Sequence, residues 1–281
     1  MENATVNKIW NANLYDDKHN FVFKYGEDLV DVLAPQKDEY ILDLGCGTGY
    51  LTSLIGQRGA QVVGIDNSAE MIAKAKTEYP GVDFRVQSAT GFHFDKSFDA
   101  IFSNAVLHWV LDKEDAIDCM YKNLKRNGRL VLEMGGKRNV ESIINALRSA
   151  LAKRGFMANA NTQQWYFPSL SEYTTLLENR GFRVTYASHY NRETELKDNA
   201  SGIKDWIKMF AGAYLKELDE NVVNEILEEV QQTLQPTNFK NGKWYADYKR
   251  LRIVAIKPAT IPNGGAAIIN TTTVPKKITH Y

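Results

Sequence analysis

The sequence predicts an α/β fold in which a mostly parallel sheet carries helices on both faces. Within residues 35–137, short apolar segments alternate with segments of helical periodicity, and a glycine-rich turn follows the first apolar segment. Strands that alternate with helices in this way form right-handed βαβ units. Hydrophobic residues make up 44% of the 281 residues, which is enough to build a core around such a sheet.

The chain before residue 137 is predicted to contain five strands with helices around them. Trp10, Leu14 and Tyr15 are spaced as on one face of a short helix, and Pro35 closes the helix that follows. The predicted helices cover Phe21–Leu33, Tyr50–Gly56, Ser68–Thr77 and Lys113–Leu124. The predicted strands are Tyr40–Leu44, Gln61–Ile65, Val82–Val86, Phe98–Ser103 and Arg129–Met134.

The second half of the chain is predicted to be mostly helical, with two further strands. Ser169 and Glu172 form a Ser-x-x-Glu capping box at the start of one helix. Two helices lie between the last two strands, which is more chain than a connecting loop needs and indicates a cap. The predicted helices are Val140–Lys153, Ser169–Asn179, Ile203–Leu218 and Val222–Leu234, and the strands are Phe182–Ala187 and Leu251–Ile256.

These elements divide the chain into five predicted segments. Residues 261–281 are rich in Thr, Asn, Gly, Pro and Lys without periodicity, which is typical of a flexible tail. The segments are an N-terminal helical lid (1–34), a ligand-binding core (35–137), a helical cap with the sixth strand (138–248), the last core strand (249–258) and the tail (259–281).

Composition and charge argue against several classes of protein. Lys and Arg together number 34, as do Asp and Glu, and this zero net charge argues against a nucleic-acid surface. Cys46 and Cys119 cannot form a disulfide framework, and the N-terminus lacks a signal-peptide core. No apolar run reaches the roughly 18 residues of a membrane span. We expect a cytoplasmic protein, monomeric or weakly homo-oligomeric, that acts on a small molecule without a metal.

A glycine-rich loop joins the first strand to the next helix. The segment Asp43-Leu-Gly-Cys-Gly-Thr-Gly49 allows a tight turn and a close approach of the backbone to a ligand. A dinucleotide-binding loop needs Gly-x-Gly-x-x-Gly, but the required last glycine is Tyr50 or Thr52 here, which argues against a dehydrogenase. The carboxylate of Asp43 beside this loop suits a cation and not a phosphate.

The second strand ends at Asp66, whose carboxylate can accept both hydroxyls of an adenosine ribose. That role serves NAD and S-adenosylmethionine alike. The glycine-rich loop supports this ribose-binding role of Asp66, because the loop and Asp66 follow successive strands of one sheet.

These two segments together closely resemble class I S-adenosylmethionine-dependent methyltransferases. The matching sequences are Asp-Leu-Gly-Cys-Gly-Thr-Gly and Val-Val-Gly-Ile-Asp66-Asn-Ser-Ala-Glu-Met71, and the order of elements agrees over residues 10–257. The resemblance implies a Rossmann-like, doubly wound, seven-stranded sheet whose last strand runs antiparallel between strands five and six. It also implies S-adenosylmethionine as the cofactor.

The resemblance assigns cofactor contacts to the matching positions. It places Gly45 and Gly47 against the methionine moiety, Asp43 near its ammonium, Asp66 on the ribose with Asn67 nearby, and Met71 on the adenine, with Tyr15 as a further contact. Family members often carry Asp-Ala after strand three, where this chain has Ser88-Ala89. A Ser88 hydroxyl lacks the charge that strengthens a carboxylate contact to the adenine amino group.

The fourth strand leads into the predicted acceptor side of the site, Asn104-Ala-Val-Leu-His108-Trp109. Ligands of open parallel sheets bind beyond the carboxyl ends of the strands, so Asn104 is expected at the methionine end of the cofactor. Leu-His-Trp, with Trp10, Tyr15 and Phe-Pro-Ser at 167–169, is similar to the trans-aconitate methyltransferase-like branch and to juvenile hormone acid methyltransferases. This similarity implies that Trp109 donates a hydrogen bond to a substrate carboxylate.

Several aromatic and ionisable residues have two possible roles in the sequence. His19, Trp165 and Tyr166 either close over the substrate or pack the cap, and Glu133 either binds substrate or is solvated. Methylation of a carboxylate needs no base, because the group is ionised at pH 7. A hydroxyl, amine or isoprenoid-carbon acceptor would need proton removal, for which His108 is the candidate. A non-catalytic cofactor-binding module is the remaining alternative.

Overall fold

The computed structural model describes residues 21–198 and 200–259, with side chains from Gly26 onward. The predicted helix near Trp10, together with Tyr15 and His19, lies outside the described residues. Residues 260–281 of the predicted tail do so as well. In the part of the chain that is described, no helix is both long and apolar enough to cross a membrane.

The strands and helices of the first half follow the predicted order. The helices are α1 (Phe21–Leu33), α2 (Tyr50–Gln57), α3 (Ala69–Glu78) and α4 (Lys113–Asn123). The strands are β1 (Tyr40–Leu44), β2 (Gln61–Asp66), β3 (Asp83–Val86), β4 (Phe98–Asn104) and β5 (Leu124–Gly135). A 3₁₀ turn, Leu107–Trp109, separates β4 from α4. β5 begins earlier than predicted, because the Asn127-Gly128 segment stays in the strand as an irregularity opposite Phe98 and Ala100.

The second half contains more strand than the sequence pattern indicated. The helices are α5 (Glu141–Lys153), α6 (Met157–Ala160), α7 (Leu170–Asn179), α8 (Gly202–Phe210) and α9 (Glu220–Asn238). The strands are β6 (Arg183–Glu195), β7 (Phe239–Lys240) and β8 (Lys243–Ile256), and Gly212–Leu215 forms a second 3₁₀ turn.

Two predictions for this half were wrong. The predicted helix Ile203–Leu218 stops at Phe210, because the following Ala-Gly-Ala segment turns into 3₁₀ geometry. The predicted strands Phe182–Ala187 and Leu251–Ile256 are less than half as long as β6 and β8. These strands bury only alternate residues in their additional parts, so no continuous apolar run marks them.

The strands form one sheet in the order β3-β2-β1-β4-β5-β8-β6, with β7 paired to the start of β8. Strands β1 to β5 are parallel to their neighbours. β8 runs antiparallel between β5 and β6, which confirms the predicted seven-stranded arrangement. The strand order reverses between β1 and β4, so a crevice for ligands is expected beyond the carboxyl ends of these two strands.

Alternation along each strand sends neighbouring side chains to opposite faces of the sheet. On β1, Ile41 packs with the residues of α1 and α2, whereas Leu42 packs with those of α4 and α7. Along β8 the α1 face carries Val254, then Arg252 and Arg250, and then Tyr248. Val254 belongs to the sheet core, whereas Tyr248 belongs to a separate aromatic cluster of the cap. Arg252 and Arg250 therefore lie at the boundary between the two clusters.

The cap cluster is built from aromatic side chains contributed by several elements. Trp206 of α8 donates a hydrogen bond from its indole Nε1 to the Tyr248 hydroxyl over 2.6 Å. Both side chains are buried, and pairing the two polar atoms removes the cost of burying them. The cluster also holds Trp165, Tyr214, Trp244 and the apolar faces of α5 and α9.

Candidate functional site

The three glycines after β1 have left-handed backbone conformations, and two of them also leave no room for a side chain. A Cβ on Gly45 would lie 2.2 Å from the Val106 side chain, and one on Gly49 would lie 2.6 Å from Phe84. A Cβ on Gly47 would meet nothing within 4 Å. The loop therefore offers open space at Gly47, where a ligand can approach the backbone.

Asp66 at the end of β2 is joined directly to this loop. Its Oδ2 accepts from the Gly47 amide over 3.1 Å, and its Oδ1 accepts from the Ser68 amide over 2.9 Å. The pKa of Asp66 is raised, because the effect of burial outweighs these hydrogen bonds, which lower it. The predicted ribose-binding carboxylate and the predicted methionine-binding loop are thus brought together, and the exposed Asn67 follows them.

Asp43 lies beneath the loop as a fully buried carboxyl group. Its Oδ2 accepts from the Thr52 hydroxyl over 2.6 Å. Burial, with a smaller contribution from the charge of Asp66, raises its pKa to about 7. Among the described residues neither carboxyl group forms an ion pair, so a cationic ligand bound at the loop would favour their ionised forms.

The residues predicted to contact adenine lie on the β2 and β3 side of this loop. Met71, on the first turn of α3, is buried, and its amide donates to the Ser68 hydroxyl over 3.3 Å. Ser88 is exposed and pairs with the Thr90 hydroxyl over 2.9 Å. Ala89 packs against the sheet core. No contact in the structure tests the predicted roles of these three residues, which stay predictions.

Asn104 and His108 lie on opposite ends of the turn that follows β4. Asn104 is half-buried beside α1, where a Cβ on Gly26 would come within 2.9 Å of its Nδ2. The His108 ring is buried and stacks on Phe167 with the ring centroids 5.7 Å apart. Its Nδ1 accepts from the Gly135 amide over 3.3 Å. In the neutral ring this leaves the proton on Nε2.

Trp109 continues from His108 toward the cap. Its ring centroid lies 5.3 Å from that of His108 and 5.3 Å from that of Trp165. Trp109 is half-buried, whereas only 6% of Trp165 is exposed. Trp165 also contacts Phe167, Trp206 and Tyr214. These contacts place Trp165 in the cap cluster, as the packing alternative predicted, and leave Trp109 at its edge.

Tyr166 is not brought together with these aromatic rings. Its side chain packs with the cluster on the α4 and α7 face, where its ring lies 6.4 Å from that of Tyr173 and 5.1 Å from Lys113 Nζ. Its amide donates to the His108 carbonyl over 2.9 Å. Tyr166 thus anchors the aromatic loop to the turn that holds His108, and the contacts described do not support the predicted substrate role.

The carboxylate of Glu133 is buried, which rules out the solvated one of its two predicted alternatives. Its oxygens accept from the Tyr190 hydroxyl over 2.6 Å, from Arg252 Nε over 2.8 Å and from both terminal nitrogens of Arg192. The guanidinium groups and the hydroxyl lower its pKa despite the burial.

Sequence reasoning missed the arginines of this region. Tyr190 and Arg192 are two residues apart on β6, as are Arg250 and Arg252 on β8. Spacing by two on a strand places both members of each pair on one face. The sequence did contain a signal for this region, namely two basic residues that stand two positions apart on the last strand and so share one face.

Comparison with known proteins shows similarity to methyltransferases along most of the chain. The sequence profile of the methyltransferase domain family matches residues 42–132. An uncharacterized methyltransferase of Schizosaccharomyces pombe is 32% identical over 259 residues, which are 88% of this chain and 98% of that protein. A trans-aconitate 2-methyltransferase of Escherichia coli is 27% identical over 258 residues, covering 88% of this chain and 97% of the relative.

Solved structures share the fold. YcgJ from Bacillus subtilis superposes with a TM-score of 0.59 at 19% identity, covering 86% of this chain and 100% of that one. A phosphoethanolamine N-methyltransferase 2 of Haemonchus contortus, solved with phosphomonomethylethanolamine and S-adenosylhomocysteine, gives a TM-score of 0.55 at 17% identity. The match covers 88% of this chain and 57% of that one.

Proposed function

The chain belongs to the class I S-adenosylmethionine-dependent methyltransferases, in the branch of the trans-aconitate methyltransferases, and on this premise we propose that it methylates a carboxylate oxygen of a small acid. The relative from Escherichia coli is named for such an acid. The observation that carries the proposal is the hydrogen bond accepted by His108 Nδ1, because it argues against the candidate base among the described residues.

The loop residues fit the cofactor of this family. S-adenosylmethionine brings a positive ammonium and a positive sulfonium, and its bound form supplies an electrophilic methyl group. Asp43 and Asp66 have no ion-pair partner among the described residues, so a bound cation would favour their ionised forms, and Gly47 leaves the backbone open to close approach. We propose that Gly45, Gly47 and Asp43 hold the methionine end of the cofactor, and that Asp66 holds its ribose.

The hydrogen bond from Gly135 argues against His108 as a general base. His108 Nδ1 accepts this bond, so its lone pair is engaged and the neutral ring carries its proton on Nε2. Use of Nε2 as a base would require the proton on Nδ1, where it would face the Gly135 N–H. A carboxylate acceptor avoids this conflict, because it is ionised at pH 7 and needs no base.

The chain then contributes by orienting the acceptor and by excluding water. Trp109 lies beside His108 at the edge of the cap cluster, and its indole N–H can donate to a carboxylate oxygen without accepting in return. The stacked rings of Trp165 and Phe167 form an apolar wall behind it. Alignment of two bound reactants in such a setting lowers the entropic part of the barrier.

The proposal is tested by product analysis of the full chain with S-adenosylmethionine and a panel of carboxylic acids that includes trans-aconitate. We expect a product heavier by one methylene group that hydroxylamine cleaves, as it cleaves esters. A methylated product that resists hydroxylamine would point instead to a hydroxyl, amine or carbon acceptor. Asp66→Ala serves as the control: it should weaken cofactor binding by about 1–3 kcal/mol, as expected for lost hydroxyl–carboxylate hydrogen bonds.

A further inference from the structure

Arg250 occupies a special position at the boundary between the sheet core and the cap cluster. It lies on β8, opposite Gly135 of β5 and Tyr190 of β6. Only 6% of its surface is exposed. Its guanidinium carbon lies 4.6 Å from the centroid of the Tyr248 ring, which belongs to the cap cluster.

This guanidinium has no hydrogen-bond or ion-pair partner among the described residues. Its Nε is fully buried and donates to no acceptor. Glu133, the carboxylate that acts electrostatically on Arg250, is engaged elsewhere, because it already accepts from Arg192, Arg252 and Tyr190. Arg250 is thus a buried cation whose donors remain to be satisfied.

The local balance of charge makes this arrangement costly for the ligand-free protein. Arg192, Arg250 and Arg252 bring three positive charges, against which Glu133 brings one negative charge. The more exposed Asp28 acts on Arg252 and still leaves an excess. Burial lowers the pKa of Arg250, yet a guanidinium stays protonated in proteins, so the charge persists. Buried charges of this kind are normally paired.

The position of Arg250 connects it to the methyl-transfer site. Its cross-strand partner Gly135 donates the hydrogen bond to His108, and partners in antiparallel strands lie about 4.5–5.5 Å apart between Cα atoms. In the neighbouring row of residues across the sheet, Asn104 of β4 lies opposite Glu133 of β5, and Glu133 lies opposite Arg252 of β8. Arg250 therefore lies close to the ends of β4 and β5, where acceptor and cofactor are expected to meet.

We propose that Arg250 binds a carboxylate of the methyl acceptor, and that this carboxylate is a different one from the group that is methylated. The inference rests on the proposed function. A guanidinium fork binds both oxygens of a carboxylate at once, which would occupy the lone pairs that attack the methyl group. Such a contact therefore suits an anchoring carboxylate, and it makes the protein selective for acids with at least two carboxylates.

Binding of acids to the protein saturated with S-adenosylhomocysteine tests this assignment without turnover. Calorimetry would compare trans-aconitate, which has three carboxylates, with the monocarboxylate crotonate. In Arg250→Gln we expect trans-aconitate affinity to fall about 10- to 100-fold, as for a lost charged hydrogen bond, and crotonate affinity to stay within about twofold. Arg250→Lys keeps the charge without the fork and should give an intermediate loss, which also covers the case in which Arg250→Gln does not fold.

Arg148 provides a matched control. It too has a buried Nε without an acceptor and lies over a tyrosine ring, 5.7 Å from the Tyr214 centroid, but its Nη2 already donates to Thr162 and Tyr214. Arg148→Lys should leave trans-aconitate affinity unchanged. An equal loss for both acids in Arg250→Gln, or an equal loss in Arg148→Lys, would overturn the assignment, because a structural role predicts such uniform effects.

The outcomes separate this inference from the proposed function. If the wild-type protein esterifies acids but Arg250→Gln binds trans-aconitate normally, the inference fails and the proposed function stands. If the wild-type protein esterifies no acid but loses trans-aconitate binding on Arg250→Gln, the anchoring role stands and the proposed reaction fails. If trans-aconitate binds to neither form, the anchoring role is wrong.

Discussion

Buried acidic residues are handled in two opposite ways at this site. Glu133 is surrounded by two arginines and a tyrosine hydroxyl, and these groups lower its pKa. Asp43 accepts a hydrogen bond from the Thr52 hydroxyl but forms no ion pair among the described residues, and burial raises its pKa to about 7. The fold itself stabilises the ionised form of Glu133, whereas burial disfavours ionisation of Asp43 until a cationic ligand binds beside it.

Replacement of Asp43 should change how stability depends on pH. The folded chain holds a proton on this carboxyl up to about pH 7, whereas the unfolded chain releases it near the ordinary value of 3.8. The stability linked to this proton is fully present below pH 3.8 and is lost as pH rises to about 7. Without cofactor, Asp43→Asn should therefore be more stable than wild type at pH 8, by about 1–4 kcal/mol.

Urea unfolding at pH 5 and pH 8 measures this effect. The gain should shrink toward pH 5, and the exposed Asp31→Asn serves as a control that should show no such trend. The same Asp43→Asn variant should bind S-adenosylmethionine more weakly, because a negative charge next to its cationic end is gone. A variant less stable than wild type at pH 8 would contradict the expectation.

Trp109 should matter to the acceptor and little to the cofactor. Trp109→Phe keeps an aromatic ring against Trp165 and removes only the indole donor. For a carboxylate acceptor we expect a loss on the order of 1.5–3 kcal/mol in kcat/KM, since the partner is charged. Steady-state kinetics with the best acid found, beside calorimetry with S-adenosylhomocysteine, measure the two effects. Full activity of the variant would remove the main residue-level support for carboxylate methylation.

The site divides into a part that the sequence could reveal and a part that it could not. The glycine loop and Asp66 belong to short segments after successive strands, so local pattern places them together. Glu133 receives its hydrogen bonds from Tyr190 and Arg252, which are 57 and 119 residues away along the chain. Such pairs depend on the register of β5, β8 and β6, which no local pattern specifies.

At the level of single elements, signals confined to one turn were the most reliable. The capping box predicted at Ser169 is present: the Glu172 amide donates to the Ser169 hydroxyl over 3.2 Å, and the Ser169 amide donates to the Glu172 carboxylate over 2.6 Å. Both partners are three residues apart, so the sequence contains the whole interaction. The lengths of β6 and β8 depended instead on pairing between distant segments.

Loss of this cap should lower stability modestly. Ser169→Ala leaves the Glu172 amide without its acceptor, and we expect a loss of about 1 kcal/mol. Ser171→Ala, on the same exposed turn but outside the capping box, is the matched control and should cost much less. Thermal unfolding of both variants measures the difference. Equal melting temperatures for the two variants would show that the box contributes nothing.

For the molecule as a whole, the zero net charge conceals a local excess of positive charge around Arg250. Composition argued against a nucleic-acid surface and could not locate this excess. The sheet was predicted well because strands and helices alternate along most of its parallel half, the direct step from β3 to β4 being the exception. The cap was predicted less well, because β6 and β8 continue from the sheet into the region that was predicted to be mostly helical.

Residues 261–281 are expected to be dispensable. The last strand ends at Ile256. The next residue, Lys257, donates from its Nζ to the carbonyls of Tyr121 and Leu124 over 2.7 and 2.8 Å and so fixes the end of this strand. A chain that ends at residue 260 should keep its melting temperature and its affinity for S-adenosylhomocysteine. A chain that ends at Ile256 should melt lower, because it lacks Lys257. A large change in the chain that ends at residue 260 would show that the removed segment docks on the domain.

The length of β6 and β8 limits how caps can be exchanged between relatives. Both strands run without interruption from the sheet core into the cap, so each one belongs to both parts. A chimeric enzyme that borrows a foreign cap must be joined inside these strands, at positions that face each other, such as Ala187 and Ile253. A junction displaced by one residue on a single strand would turn its side chains to the wrong face and send Arg250 away from the proposed acceptor site.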